Sequence, residues 1–237
     1  MATTFLTAEW RKLALANYVI DPKILEKYVP KGTELDIWEG KCFVSLVGFR
    51  FLNTKVKGIK VPFHVNFDEV NLRFYVKYLD GNEWKRGVVF IKEIVPKPVL
   101  SFVARTLYCE TYHTHPMKHE WKETETERIV SYSWKTSDWN HFSVNAALKS
   151  VSINEGSEEE FITEHYWGYT KRSETKTSEY EVTHPRWEVY PVHSHSIQTN
   201  FEEVYGSDFT ILNTLVPNSV FLAEGSETAV KSGKKIR

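Results

Sequence analysis

From Val70 to Val76 the apolar residues fall on every second position, Val70, Leu72, Phe74 and Val76, while the other phase carries Glu69, Asn71, Arg73 and Tyr75. A period of two over this length predicts a strand with one apolar face. The opposite face is an acid, an amide, a guanidinium and a phenol in one row. Such a row is either the wet face of an antiparallel sheet, the common outcome of polar alternation, or the wall of a cavity. Glu69 and Arg73 stand about 13 Å apart at Cα on a strand, too far for an easy direct ion pair. The spacing suits successive contacts along a bound molecule.

The same reading extends along the chain. Leu13, Leu15, Asn17 and Val19 alternate with smaller or polar neighbours and predict a strand over 11–20. Asp21-Pro22 supplies an N-cap followed by proline in the first turn of a short helix to Tyr28, stopping before Pro30. Residues 33–39 and 41–52 read as a hairpin turning at Glu39-Gly40, followed by a polar loop over 53–60. Asp80-Gly81 is a hairpin turn that returns the chain to Val95. Val99, Phe102, Val103 and Leu107 then share one helical face, and four short strands are predicted between Glu110 and Ser150. Ser157 followed by Glu158, Glu159 and Glu160 starts a helix running to about His165. Strands are expected over 179–183 and 186–198, a helical turn over 201–205, and a last apolar segment over 209–223. Residues 226–237 read as a polar tail outside a core of about 5–225, with no linker or composition break in residues 1–237 to divide them into domains. The pattern is an α+β domain of mostly antiparallel strands with a few short helices, closed or strongly curved.

Composition narrows the function classes. Aromatics make up 14% of the chain and the formal net charge is −1, so a large core is available and no global field attracts nucleic acid or an anionic membrane. Charged residues interrupt the N-terminal segment before a signal-peptide core forms, and no window is apolar enough to span a membrane. A cytoplasmic location follows as the expectation. Cys42 and Cys109, each in an apolar setting, read as reduced buried thiols.

The stretch Asn66-Phe67-Asp68-Glu69-Val70-Asn71-Leu72-Arg73-Phe74-Tyr75-Val76 resembles the central motif of the YqjF-like family of bacterial proteins. Matching stretches follow the same order: Val19 to Pro22 and on to Pro30, Ala104-Arg105 with Tyr112 behind it, Phe161 to Tyr166, and Val182 to Trp187. The resemblance implies an acetoacetate decarboxylase-like fold, in which an antiparallel sheet closes around a ligand-sized cavity crossed by the Glu69 strand. It also implies that Glu69 is the acid of that pocket. Decarboxylases of this superfamily use a Schiff-base lysine in a desolvated pocket, its pKa depressed by the cation of a neighbouring lysine. Here the corresponding segment is Glu110 to Glu120. One registration puts Met117 and Lys118 in the two slots and the other puts Thr114 and His115 there. Neither supplies a lysine pair.

The candidate chemistry is therefore Glu69 as a general acid or base, with Asn71, Arg73, Arg105, Tyr112, Glu164 and Tyr166 as ligand contacts. Arg105 and Glu164 have an alternative role as fold-fixing partners of each other. His113-x-His115 and His193-x-His195 each put two imidazoles on one strand face. Nothing brings the pairs together, so no metal or other cofactor is expected, and His119 and His141 read as surface residues. Lys118 shares an outward charged face with Glu120 and Lys122. The expectation is a small-molecule-binding domain with an aromatic-lined pocket for an organic acid. The alternative is a lyase or hydrolase of a carbonyl or carboxylate substrate using Glu69. Sheet edges leave room for a homodimer.

Overall fold

The computed structural model describes residues 3–98 and 111–236. The helical face from Val99 to Leu107, together with Arg105 and Cys109, lies outside the described residues. The chain begins with β1 (Thr4–Val19), a short α1 (Pro22–Leu25) that continues as a 3-10 turn to Tyr28, β2 (Thr33–Leu35), β3 (Phe43–Val56), β4 (Phe67–Asp80) and β5 (Glu83–Val95). Asp21 caps α1 by accepting a hydrogen bond from the Lys23 amide at 2.9 Å, with Pro22 in the first turn, as its sequence predicts. Then come β6 (Tyr112–Thr114), β7 (Met117–Glu123), β8 (Arg128–Lys135), β9 (Trp139–Ala146), β10 (Val151–Ser152) and α2 (Glu158–Thr163). The chain ends with β11 (Trp167–Ser173), β12 (Lys176–Thr183), β13 (Glu188–Tyr190), β14 (Val192–Gln198), α3 (Phe201–Tyr205), a 3-10 turn over Ser207–Asn213, β15 (Ser219–Lys231) and β16 (Lys234–Ile236).

The strands form two sheets. The larger runs β15-β1-β3-β4-β5-β11-β12, and β12 pairs back to β15, so the run closes into a ring. Two seams of this ring are short. β5 and β11 meet in parallel at Trp167↔Gly87 and Gly168↔Val88, and β12 meets β15 at Val182↔Val230 and Thr183↔Ala229. The smaller sheet, β14-β9-β8-β7, is antiparallel and lies against the outside of the ring. Val70, Leu72, Phe74 and Val76 of β4 face it and form one core with Tyr132, Trp134, Phe142 and Val144. The opposite phase of β4 faces a second core inside the ring, with Phe43, Val47, Phe49, Phe51 and Phe67. One end of the ring is crossed by a buried polar chain. The Ser45 hydroxyl donates to Asn17 Oδ1 at 2.6 Å and meets the Tyr75 hydroxyl at 2.7 Å, while the Asn17 amide donates to Ser219 at 2.9 Å.

The antiparallel α+β architecture is as the sequence implies, and three local expectations are corrected. The turn at Glu39-Gly40 exists, with φ of 47° and 76° and a Trp38↔Lys41 bridge, but β2 pairs with β4 and not with β3. β3 continues to Val56 through residues expected as loop. Residues 226–236 are not a tail: β15 runs on to Lys231, with Thr228 buried, and β16 pairs with β12. The polar letters of this stretch hid an alternating strand, whose Val230 completes the ring.

Gly225 makes that continuation possible. Its φ is +78°, and a Cβ there would sit 2.0 Å from the Trp10 carbonyl oxygen. Gly40 has a similar φ of +76° with nothing within 4 Å. Gly225→Ala is expected to lower stability in urea denaturation by about 3 kcal/mol or more, and Gly40→Ala by about 1 kcal/mol. Equal losses would show that φ alone, and not the close approach to β1, sets the cost.

Candidate functional site

The ring encloses a cavity of about 180 Å³ whose wall includes Phe67, Glu69, Asn71 and Arg73. The polar row of β4 is thus a cavity wall and not a wet sheet face: Glu69 is 2% exposed, Asn71 1% and Arg73 9%. β5 adds a second acid through an irregularity. The β4–β5 register shifts between Leu72↔Lys92 and Arg73↔Phe90, leaving Ile91 as an extra residue. Before the bulge Val88 and Phe90 face the cavity, and after it Glu93 does. A bulge reverses the alternation of the side chains that follow it. Strict period two puts Glu93 on the outer face with Val89 and Ile91, which is why sequence reasoning passes over it.

Glu69 accepts a hydrogen bond from the Asn71 amide at 2.9 Å and one from the Tyr112 hydroxyl at 3.2 Å. Tyr112 reaches it because β6 pairs in parallel with β5, setting Tyr112 opposite Glu93. Burial raises the Glu69 pKa from 4.5 to about 7, although both hydrogen bonds and the Arg73 charge pull it down. Burial and the two nearby acids, Glu69 and Glu93, hold the Tyr112 phenol protonated well above its ordinary value.

Arg73 is the unusual group. Among the described residues no acid lies within ion-pairing distance of its guanidinium and its Nε has no hydrogen-bond partner. Its contact is with the Tyr75 ring, 5.7 Å from guanidinium carbon to centroid. The His165 ring packs on the same tyrosine at 4.7 Å and also lines the cavity. His165 Nε2 lies 3.1 Å from Asp36 Oδ2, which takes a second hydrogen bond from Arg86 Nε at 2.7 Å. Burial lowers the His165 pKa to about 4, reinforced by Arg86 and Arg73 and opposed by Asp36. The imidazole is therefore neutral at pH 7, with Nε2–H donating to Asp36, and Nδ1 is a buried acceptor without a partner among the described residues. Asp36 and Arg86 gave no sequence signal. His165 lies within the Phe161 to Tyr166 stretch but reads there only as a helix end.

The remaining candidates lie elsewhere. Tyr166 donates its hydroxyl to Glu164, and neither is among the residues lining the cavity. Arg105 is outside the described residues. Lys118 lies on the outer sheet with its ammonium 4.5 Å from the Trp139 ring, and no lysine is among the described residues that line the cavity. His119 is tied to Asp68 at 2.9 Å and to Arg50, and His141 meets Ser133 at 2.9 Å. Cys42 is buried, and burial pushes its thiol up to about 11. No cluster of three metal-ligating side chains occurs among the described residues, and no described helix is long and apolar enough to cross a membrane.

Residues 7–227 match the DUF2071 family, described as an uncharacterized conserved protein. The chain belongs to the DUF2071 family. It is 27% identical over 166 residues to the uncharacterized protein YqjF of Bacillus subtilis (strain 168), a match covering 68% of this chain and 65% of that protein. Solved structures share the fold of this DUF2071 chain at low identity. Acetoacetate decarboxylase from Legionella pneumophila superposes with a TM-score of 0.67 at 12% identity, covering 99% of this chain and 88% of the other. The enduracididine biosynthesis enzyme MppR, complexed with pyruvate, gives 0.71 at 12% identity, with 99% and 91% covered. An acetoacetate decarboxylase-like enzyme from Sphingomonas wittichii RW1 gives 0.66 at 10% identity, with 98% and 93% covered. The DUF2071 chain thus has the acetoacetate decarboxylase-like fold.

The Glu69 titration has a consequence for stability. Between pH 4.5 and about 7 the folded protein keeps a proton that the unfolded chain has lost, so ionised Glu69 costs stability as pH rises. The His165 shift works oppositely between about 4 and 6.5, where the unfolded chain binds the extra proton and stability rises with pH. The two slopes offset each other in the wild-type protein. Glu69→Gln removes one of them. Its stability relative to wild type is expected to rise by about 3 kcal/mol from pH 4.5 to 7.5 in urea titrations. A pH-independent difference would mean that Glu69 does not titrate in this window.

Proposed function

We propose that this chain binds a small organic anion inside the ring, with Arg73 gripping the anionic group. The observation that carries this reading is a guanidinium that is 9% exposed, lines the cavity and has no counter-ion among the described residues. A buried charge is ordinarily paired, because desolvation without a partner costs several kcal/mol. A carboxylate supplies the missing partner and the fork geometry Arg prefers. The charge balance of the wall adds a second element. Glu69 and Glu93 face the same cavity as Arg73, so an incoming anion favours the protonated form of Glu69, whose pKa near 7 makes proton uptake cheap.

The same pKa supports a second reading, a lyase or hydrolase of a carbonyl or carboxylate substrate. In it Glu69 transfers the proton, with Tyr112 as its hydrogen-bond partner and Arg73 holding the carboxylate. The absence of lysine among the described cavity-lining residues gives no support to Schiff-base chemistry. A single domain over 1–237 and a cytoplasmic location complete the proposal.

Arg73→Met separates a ligand anchor from a structural ion. Loss of a structural ion-pair partner costs about 3–5 kcal/mol, whereas replacing an unpaired buried charge with an apolar chain is neutral or stabilising. The expected outcome is a melting temperature equal to or above wild type together with at least 100-fold weaker organic-acid binding by calorimetry. Wild-type binding at pH 7.5 should take up a proton, read from the heat in buffers of different ionisation enthalpy. A variant that loses stability and keeps its affinity overturns the anchor role.

A further inference from the structure

On its β3 and β1 side the cavity wall is graded along its length, and this points to the kind of acid. The inference rests on the anion-binding reading above. Moving along β4 from Arg73 towards Phe67, the residue opposite on β3 changes from Ser45, which faces Arg73, to Phe49, which faces Glu69, and then Phe51, which faces Phe67. At that far end Phe51 and Phe67 stack with centroids 4.5 Å apart and rings inclined by 14°. Trp10, on β1 and paired with Phe51, stands edge-on to Phe49 at 5.4 Å and to Phe51 at 5.7 Å. All four rings line the cavity. The head end holds Arg73, Asn71 and His165, with Phe90 of β5 opposite Arg73 and Glu93 opposite Asn71.

We propose that the ligand is a carboxylic acid with an aromatic or similarly flat apolar tail, its carboxylate at Arg73 and its tail against Trp10, Phe49, Phe51 and Phe67. Four residue steps, about 13 Å along the strand, separate Arg73 from the level of Glu69, where Phe49 begins the aromatic cluster. With the length of the Arg73 side chain added, a carboxylate joined to a ring by three methylenes reaches the near end of that cluster at Phe49, whereas a two- to four-carbon acid occupies the head end alone and leaves the aromatic wall uncovered. A flat tail beside offset and edge-on rings gains both apolar burial and ring–ring contact. The tail also crosses the level of Glu69, which lies between head and aromatic cluster on the same strand face. Apolar cover there deepens the desolvation of Glu69 and draws in the proton that an anion requires.

The test is calorimetric titration of the whole protein at pH 6.5 with 4-phenylbutyrate, butyrate and the neutral 4-phenylbutyramide. Tryptophan emission is followed in parallel in wild type and in Trp10→Phe. The expected result is at least 100-fold tighter binding of 4-phenylbutyrate than of butyrate. It comes with an emission change that butyrate does not produce and that Trp10→Phe diminishes. Butyrate binding as tightly as 4-phenylbutyrate overturns the tail assignment and leaves the anion-binding reading in place. The amide binding as tightly as the acid overturns the anion reading and leaves the tail site standing. No binding of any of the three overturns both. Phe51→Leu, which keeps much of the buried volume, should weaken 4-phenylbutyrate at least 10-fold with butyrate unchanged. Its melting curve identifies any loss that comes from misfolding, in which case the wild-type emission change decides.

Discussion

Both faces of β4 are removed from water, and much else in the structure depends on that. Antiparallel strands ordinarily keep one wet face, which is where polar alternation belongs. In this ring the apolar phase of β4 is taken by the four-stranded sheet, with Tyr132, Trp134, Phe142 and Val144 packed on it. The polar phase is left with the interior. Glu69, Asn71 and Arg73 must then find partners among themselves, among neighbours such as Tyr112, or in a bound molecule. Asn71 and Tyr112 serve Glu69. Arg73 is served by none of them.

This arrangement divides the site electrically. At one level Asp36 sits between Arg86 and His165, a set closed in charge: burial alone would raise the acid's pKa, but its two hydrogen bonds keep it low, and the imidazole stays neutral. At the other level the balance is open, because Glu69 lies between its charged and neutral forms near pH 7 while Arg73 has no counter-ion among the described residues. A closed set holds geometry, and an open one responds to what enters. Tyr75 joins them, carrying both the His165 ring and the guanidinium of Arg73 against its own ring while its hydroxyl ties into the Asn17–Ser45 chain.

How much of this is readable in the residues depends on whether the information is local. The period of Val70 to Val76, the Asp21 cap and the four strands after Glu110 are local, and the structure has them. The wet-or-dry status of the Glu69 row is not local, since the same alternation serves both, and only the family resemblance favours the cavity. Glu93 escapes because one extra residue at Ile91 reverses the phase. The partner of β2 and the role of Val230 escape because both are pairings over long separations, and composition makes 226–236 look like solvent-facing chain. Asp36 and Arg86 acquire meaning only when folding sets them beside His165.

The two short seams make the β11–β12 hairpin a removable stave. It carries Trp167, Tyr180 and Val182 on the cavity wall, and it joins the ring by two residue pairs at each side, against eight between β3 and β4. Side chains reinforce one seam: Lys85 lies 4.1 Å from the Trp167 ring and 3.4 Å from the buried Glu179 carboxylate. Parting the ring at this place breaks these short seams, and on the β12 side the three pairs to β16 as well, while the long ladders of β1, β3 and β4 stay intact. Local breathing of this one hairpin is thus separable from the global stability of the ring.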